Sequence, residues 1–269
     1  MSAPVARPVS ERAIRVAAVL YMAVCYTFIF LPVGVLVLFS FQRGSLPVPP
    51  FNGPSLHWYA AAFSDGRLVS GFWNSLLVGT ISSAISVLLG FLAAYGIARY
   101  DFPGRRWVEG LIMLPLAVSY LMVGMGLLVA TSALGLGPSL ITVGIGHIVI
   151  NMPLAFAICL AQLGEHQRRI ESAARDLGAS TATVLWRITA PLILPALVAA
   201  FCLCFTLSWD EFLIAFLNTR FDVTLPVVIW SLLRGGLNPE LNAAGSVIFL
   251  FSLVLVTIME ALLLRKKRA

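Results

Sequence analysis

The sequence EHQRRIESAARDLGASTATVLWRITAPLILPAL, residues 165–197, contains the most charged stretch of a strongly apolar chain. Four of its apolar residues fall at positions i, i+3, i+4 and i+7, on one face of a helix: Ile170, Ala173, Ala174 and Leu177. Gly178 follows directly, where a glycine commonly ends a helix. The pattern predicts a short amphipathic helix, a turn, and a second segment that enters an apolar run at Pro191.

The composition of the chain indicates a membrane protein. Its 269 residues are 59% hydrophobic and 11% charged, and the mean hydropathy is +0.94. Soluble domains are about 45–50% apolar and about 25% charged. The net charge of +6 therefore informs topology rather than nucleic-acid binding, which would need a soluble basic face.

Six apolar runs are long enough to cross a bilayer, which takes about 20 residues: 16–41, 72–98, 108–130, 140–163, 190–217 and 243–264. With a cytoplasmic N-terminus, only a few of the 18 Lys and Arg residues fall outside: Arg43, Arg67, Arg220 and Arg234. Basic residues collect in cytoplasmic loops. The sequence therefore predicts an all-α integral membrane protein with six transmembrane helices and both termini in the cytoplasm.

The loops between these runs give the domain organisation. No soluble domain separates from the runs, so we expect one transmembrane domain over residues 1–269. The outside loop 42–71 predicts a turn and a short helix. The segment VTLPVVIWSLLRGGLNPE, residues 223–240, is too short to span and predicts an interfacial or re-entrant helix. The inside loop 164–189 contains the amphipathic helix.

A short amphipathic helix at the cytoplasmic surface has two interpretations. Its small-residue face suits insertion into a groove on a partner protein. The same face could instead rest on the membrane surface. Periodicity alone favours neither interpretation.

A longer pattern in this loop resembles a known family. The residues A-A, then three residues, G, nine residues and I-x-x-P resemble the "EAA" loop of permease subunits in binding-protein-dependent ABC importers. The matching positions are Ala173, Ala174, Gly178, Ala179, Ile188 and Pro191. Two positions depart from the pattern, because Ser172 stands where the family has glutamate, with Glu171 beside it, and Ala190 stands where it has leucine.

The resemblance implies a type I ABC importer permease and its partners. In this family the loop is a coupling helix that docks in a cleft of the ATPase subunit. The residues assigned to ATPase coupling are Glu171, Ala173, Ala174, Asp176, Leu177, Gly178 and Ala179. The expected partners are a second, homologous permease subunit, two ATPase subunits and an extracytoplasmic substrate-binding protein, in a bacterial inner membrane.

The resemblance also narrows the solute. FTLSWDEFLIAF, residues 205–216, and DVTLPVVIWSLLRGGLNPELNA, residues 222–243, resemble the second permease subunit of spermidine/putrescine importers. Relatives of that subgroup carry opines, aminophosphonates and other small solutes. We therefore expect a small solute, with a polyamine as the first candidate.

Two adjacent acids, Asp210 and Glu211, lie in the fifth apolar run. Ionisable residues in transmembrane segments are costly and usually face the bundle interior or water. On a continuous helix, Thr206 and Asp210 form a polar stripe beside Trp209, where a carboxylate and an aromatic ring would attract a cation. The alternatives are ion pairs with Arg220, Arg234 or a partner subunit, and exposure at the outer interface.

Two further residues complete the predicted substrate path. His147 in the fourth run could contact the solute or form a hydrogen bond to a neighbouring helix, the commoner role in bundles. Tyr120 in the third run could line the path or pack. The predicted path residues are Asp210, Glu211, Trp209, Thr206, Tyr120 and His147.

Absent motifs limit the chemistry of this chain. The sequence contains no G-x-x-x-x-G-K-[ST] phosphate-binding loop, no H-E-x-x-H and no G-x-S-x-G. We therefore expect a transport subunit rather than an enzyme, without a cofactor of its own, and ATP and Mg²⁺ bound by the partner ATPase. An ion-coupled secondary transporter, with the two acids as its ion site, is the alternative from another class.

Overall fold

The computed structural model describes residues 11–236 and 238–266, and the side chains of residues 14–236 and 238–257. Within these ranges the regular secondary structure consists of helices: α1 Glu11–Ser40, α2 His57–Ser64, α3 Gly66–Arg99, α4 Arg105–Met113, α5 Tyr120–Ala133, α6 Leu140–Gln162, α7 Glu165–Asp176, α8 Thr181–Leu192, α9 Leu194–Trp209, α10 Leu213–Asn218, α11 Leu225–Arg234 and α12 Pro239–Lys266. The termini 1–10 and 267–269, which carry part of the predicted charge asymmetry, lie outside these ranges.

Four helices are long and apolar enough to cross a membrane, namely α1, α3, α6 and α12. Two further apolar runs are each formed by a pair of helices, α4 with α5 and α8 with α9, and the pairs bend by 106° and 74°. If each bent pair is one span, the described residues hold six. The short helices α2 and α11 confirm the two predicted non-spanning helices.

Neither the run 108–130 nor the run 190–217 is one continuous helix, and for 190–217 the expectation of a continuous helix was wrong. The first run passes through a 3₁₀ turn, Leu114–Ala117, and restarts where the Ser119 hydroxyl accepts a hydrogen bond from the Met122 amide at 3.4 Å. The second run bends before Pro195, because proline disfavours the helical conformation in the residue before it. It then stops at Trp209, eight residues short of the predicted end.

The packing divides the chain into two compact units, Met1–Ala62 with Leu237–Val247 and Phe63–Gly236 with Ile248–Ala269. In the first unit the buried Gln42 side chain organises the loop after α1. Its Oε1 accepts from the Asn52 amide at 2.9 Å, and its Nε2 donates to the Pro50 carbonyl at 3.1 Å. A single domain over residues 1–269 stays a prediction.

The second unit is built around the closely packed pair α3 and α6. A row of buried small residues on α3 allows the close approach of its neighbours, as is usual between membrane helices: Gly79, Ser82, Ser83, Ser86 and Gly90. At Gly90 a Cβ atom would lie 2.7 Å from the Phe156 backbone nitrogen and 2.8 Å from the Ala155 Cβ. Glycine is therefore the residue that fits this crossing.

The beginnings of α3 and α6 lie at one end of this unit. Asn74 Nδ2 of α3 donates to the Val223 carbonyl, in the segment before α11, at 2.9 Å. At the beginning of α6, the Thr142 hydroxyl donates to the Asn218 carbonyl at 3.0 Å. Both helices therefore start beside the segment that joins α10 to α11.

The other ends of α3 and α6 also lie together. Arg99 Nη1, in the last residue of α3, donates to the Leu163 carbonyl just after α6 at 3.0 Å. The two helices therefore run in the same direction. It follows that the connection between them, which contains α4 and α5, returns across the length of the unit.

Replacing Gly90 by alanine should force α3 and α6 apart. Overpacking of this kind costs about 1–3 kcal/mol, so we expect Gly90→Ala to lower the thermal unfolding temperature of the detergent-solubilised protein. Gly96→Ala on the same helix is the matched control, because its Cβ meets nothing within 4 Å. It should leave the temperature equal or higher, since alanine favours a helix interior. Equal destabilisation by both variants would contradict this account of the crossing.

Candidate functional site

The two adjacent acids lie at a break in the fifth apolar run. Helix α9 ends at Trp209, and α10 begins at Leu213. The carboxylate of Glu211 accepts hydrogen bonds from the Ile214 amide at 2.9 and 3.0 Å and from the Ala215 amide at 3.1 Å. These amides are in the first turn of α10 and have no partner within the helix. Glu211 is therefore the capping residue of α10.

Glu211 faces the interior of the unit. Its Oε2 lies 3.4 Å from His147 Nε2, and both side chains are buried. The other ring nitrogen of His147 shares a short hydrogen bond with the Ser208 hydroxyl, which in turn lies 3.2 Å from the Ser82 hydroxyl. This polar network joins α3, α6 and α9, so His147 makes the interhelical hydrogen bond that the sequence left as one of two possibilities.

Asp210 has the opposite environment. It is exposed, and it lines a cavity of about 240 Å³. The other lining residues come from α9, α11, α12 and the break: Trp209, Phe212, Leu225, Pro226, Ile229, Trp230, Leu233 and Ile248. Two tryptophans, one phenylalanine and a single carboxylate thus line the same cavity. Aromatic faces and a carboxylate both attract cations, so the cavity is suited to an amine.

The polar stripe expected from the sequence reaches the cavity only in part. Helix α9 ends at Trp209, but the Asp210 amide still bonds the Thr206 carbonyl at 3.3 Å. Thr206 donates its hydroxyl to the Cys202 carbonyl of its own helix at 2.9 Å and does not line the cavity. Nor does Tyr120, which begins α5 at the bend. Among the described residues, neither acid forms a salt bridge with Arg220 or Arg234, and Glu211 instead lies beside His147.

The predicted amphipathic helix is confirmed as α7, and Gly178 follows it with φ of 87°, the left-handed conformation of a helix-ending glycine. Its apolar face points away from the bundle. Leu177 is 91% exposed and Ile170 is 36% exposed. Ala173, Asp176 and Gly178 are also exposed, and Ala174 and Ala179 are half-buried.

The buried face of α7 is instead formed by one charged residue, whereas the other charged residues of the helix are exposed. Glu171 is buried, and its carboxylate forms two bonds to the Arg99 guanidinium, at 2.6 Å from Nε and 3.0 Å from Nη2. The Thr189 hydroxyl donates to the same carboxylate at 2.9 Å. One turn further along, Arg175 Nη2 donates to the Tyr95 hydroxyl at 3.0 Å. Glu171 therefore anchors α7 to the bundle and is not on the exposed face.

The match to known proteins covers the part of the chain that contains the Asp210 cavity and helix α7. Residues 86–268 match the family of binding-protein-dependent transport system inner membrane components, which is more than half of the chain. The chain belongs to this family. It is thus a permease of an ABC importer, and the ion-coupled secondary transporter considered from the sequence was the wrong alternative.

Individual relatives agree with this membership. The spermidine/putrescine transport system permease protein PotC of Haemophilus influenzae is 28% identical over 247 residues, 91% of this permease and 95% of PotC. The putrescine transport system permease protein PotI of Escherichia coli strain K12 is 32% identical over 231 residues, 83% of this permease and 82% of PotI.

Solved structures show the same fold. A chain of a bacterial ABC transporter involved in the import of the acidic polysaccharide alginate superposes with a TM-score of 0.69, at 18% identity, over 98% of this permease and 99% of that chain. A chain of the bacterial alginate ABC transporter in complex with an alginate pentasaccharide-bound periplasmic protein gives 0.68 at 20% identity, over 93% of both. At such identities the likeness concerns the fold alone.

Sequence reasoning missed the inward partners in this permease. Arg99 was counted only as a topology charge, and Thr189 was not considered. A weak signal was present, because Glu171 and Arg175 are four residues apart and share a helix face that excludes Ile170 and Leu177. Nothing local to the loop identifies Arg99 as the partner.

Replacing each of the adjacent acids by alanine should have different effects on stability. Glu211→Ala removes the cap of α10 and leaves His147 Nε2 without the carboxylate beside it. Loss of such a buried hydrogen-bonding group costs about 1–3 kcal/mol. Asp210→Ala changes an exposed side chain and should stay within about 0.5 kcal/mol. Thermal unfolding of the two purified variants checks this. Equal destabilisation would show that the break does not depend on Glu211.

Proposed function

We propose that this permease forms part of the path of a polyamine importer, with Asp210 as a cation-attracting residue on that path. The observation that carries the proposal is the exposed Asp210 carboxylate in a cavity lined by Trp209, Phe212 and Trp230. An amine that leaves water needs a counter-charge, and this cavity supplies one next to aromatic faces. By their names, PotC belongs to a spermidine/putrescine transport system and PotI belongs to a putrescine transport system.

We also propose that the chain crosses the inner membrane six times, with both ends in the cytoplasm. Because α3 and α6 run in the same direction, the intervening pair α4–α5 has to return as one span. By the same reasoning the pair α8–α9 is one span. It begins at the end of the unit that holds α7 and leads back to the end where Asn74 contacts Val223. With α1 and α12 the total is six, in agreement with the asymmetry of Lys and Arg.

The partner subunits follow from the family and from α7. We propose that a second, homologous permease completes the path, that an extracytoplasmic binding protein delivers the solute, and that two ATPase subunits bind and hydrolyse ATP with Mg²⁺. The exposed apolar face of α7 is the docking surface for an ATPase subunit. Helix α7 is buried only at Glu171 and leaves Leu177 91% exposed, so it has an apolar face that a partner would cover.

Asp210→Asn should reduce transport without changing assembly. A Coulomb attraction of about 1–2 kcal/mol between a carboxylate and an amine in a partly hydrated site corresponds to about a 5- to 30-fold effect. We therefore expect the maximal rate of putrescine and spermidine uptake, and of the ATPase activity they stimulate, to fall by about that factor in proteoliposomes that hold the complete importer. Asp222→Asn is the matched control, because Asp222 is an exposed acid near the same end that does not line the cavity.

The same assay includes an opine and an aminophosphonate as competing solutes. Stimulation of the wild-type importer by one of these, and not by the polyamines, would retain the importer and reject the polyamine. An unchanged response of Asp210→Asn to polyamines would reject the role of Asp210 alone.

Leu177→Asp should prevent the ATPase from binding. A charge placed in an apolar docking surface is buried without a partner when the complex forms, which is strongly unfavourable. We expect at least a tenfold loss of ATPase that co-purifies with the tagged permease in detergent. If α7 instead lies on the membrane surface, co-purification will equal that of the wild type.

A further inference from the structure

The buried face of α7 holds a link between the docking helix and the rest of the permease. All residues of α7 belong to the described part of the chain, and Glu171 is the only one of them that is buried. Hydrophobic packing therefore contributes little to the position of this helix. The side chains of Glu171 and Arg99 are only 1% and 4% exposed and form a bidentate ion pair. Such a pair fixes orientation as well as distance.

This ion pair joins α7 to three other elements. Arg99 is the last residue of α3, and its Nη1 also donates to the Leu163 carbonyl at the end of α6. Thr189 connects the Glu171 carboxylate to α8. Helix α8 leads into α9, which ends at the break beside Asp210. The contacts of one carboxylate thus lead through α8 to α9, one of the elements that line the cavity.

The position of this carboxylate in the sequence supports a separate role from docking. The family pattern has glutamate at the position of Ser172, which is exposed here. A shift of one residue turns a side chain by about 100° around a helix. The acid at position 171 therefore points into the bundle, whereas an acid at position 172 would lie on the exposed side.

We propose that the buried Glu171–Arg99 pair is the joint that makes α7 move together with α3 and α8, so that it couples ATP hydrolysis to transport without contacting the ATPase. This inference rests on the proposed docking of the ATPase on α7. Glu171 and Arg99 are then positioning residues. Without the Glu171–Arg99 ion pair, the ATPase should stay bound and hydrolyse ATP. The helices that form the solute path should no longer move together with the ATPase.

The test compares three single variants in the assembled importer. Glu171→Gln removes the charge and retains the shape and one acceptor oxygen. Arg99→Lys retains the charge but loses the bidentate geometry. Asp101→Asn is the control, because it breaks an exposed ion pair with Arg105 at the same end of α3, where Asp101 is 96% exposed.

Two quantities are measured for each variant: the ATPase that co-purifies, and the labelled putrescine transported per ATP hydrolysed. For Glu171→Gln and Arg99→Lys we expect wild-type co-purification and at least a fivefold lower transport ratio. The double variant should be no worse than the singles, because each already breaks the same joint. Asp101→Asn should equal the wild type.

A second measurement does not depend on the identity of the solute. Spin labels at positions 101 and 168, in a chain without its own four cysteines, report the distance between the ends of α3 and α7. In the parent chain this distance should be the same in ATP-free and vanadate-trapped importers, because the two helices move as one body. With Glu171→Gln it should change between the two states.

The outcomes separate this inference from the proposed function. A wild-type transport ratio and an unchanged label distance in Glu171→Gln would overturn the joint, whatever Leu177→Asp does. Loss of the ATPase from Glu171→Gln, to the extent seen in Leu177→Asp, would also overturn it and place Glu171 in the docking surface. If Leu177→Asp retains the ATPase while Glu171→Gln still uncouples, the joint stands and the ATPase binds α7 through residues other than Leu177.

Discussion

The break between α9 and α10 depends on one carboxylate that satisfies backbone groups in the interior of the protein. Inside a membrane no water is available for amides that leave the helical pattern, so side chains have to bond them. Glu211 bonds the Ile214 and Ala215 amides, and His147 lies beside it. Because the helix ends there, the next residues of the chain turn aside. The cavity and the exposure of Asp210 both follow from that turn.

The two adjacent acids therefore have separate roles, although their chemistry is the same. One is buried, bonded and structural, and the other is exposed in an aromatic cavity. A charge in the interior persists only when donors surround it, as they do at Glu211. A charge beside open space remains available to a ligand, as it does at Asp210. The role of each acid is set by its surroundings and not by its residue type.

The same rule operates at the end of the unit that holds α7. In an amphipathic helix of a soluble domain the apolar face packs on the core, but in α7 the buried residue is the acid Glu171 and the apolar face stays exposed. The ion pair between Glu171 and Arg99 makes this arrangement possible, because it replaces hydrophobic contacts as the attachment. Breaking such a buried pair by removing one partner costs about 3–5 kcal/mol. The attachment is thus strong and directional, while Leu177 and Ile170 remain free for a partner.

Local features of the sequence predicted local structure well. The period of Ile170, Ala173, Ala174 and Leu177 and the glycine at 178 predicted α7 and where it ends, because helix formation and termination depend on neighbouring residues. The apolar runs predicted which segments are long enough for a membrane. The continuity of the run 190–217 was predicted wrongly. Apolar composition is compatible with both a straight helix and a bent pair, and the difference depends on prolines and on contacts with distant residues.

By itself, the sequence determined the class of protein, the apolar runs, the amphipathic helix and the glycine that ends it, since composition and periodicity encode burial and local conformation. Only the tertiary structure decided that Glu171 faces inward to Arg99, 72 residues away, that Glu211 caps α10 beside His147, and that Asp210 opens into an aromatic cavity. The physical reason is that the role of a charged side chain in a membrane protein depends on which groups surround it. Those groups come from helices that are distant along the chain.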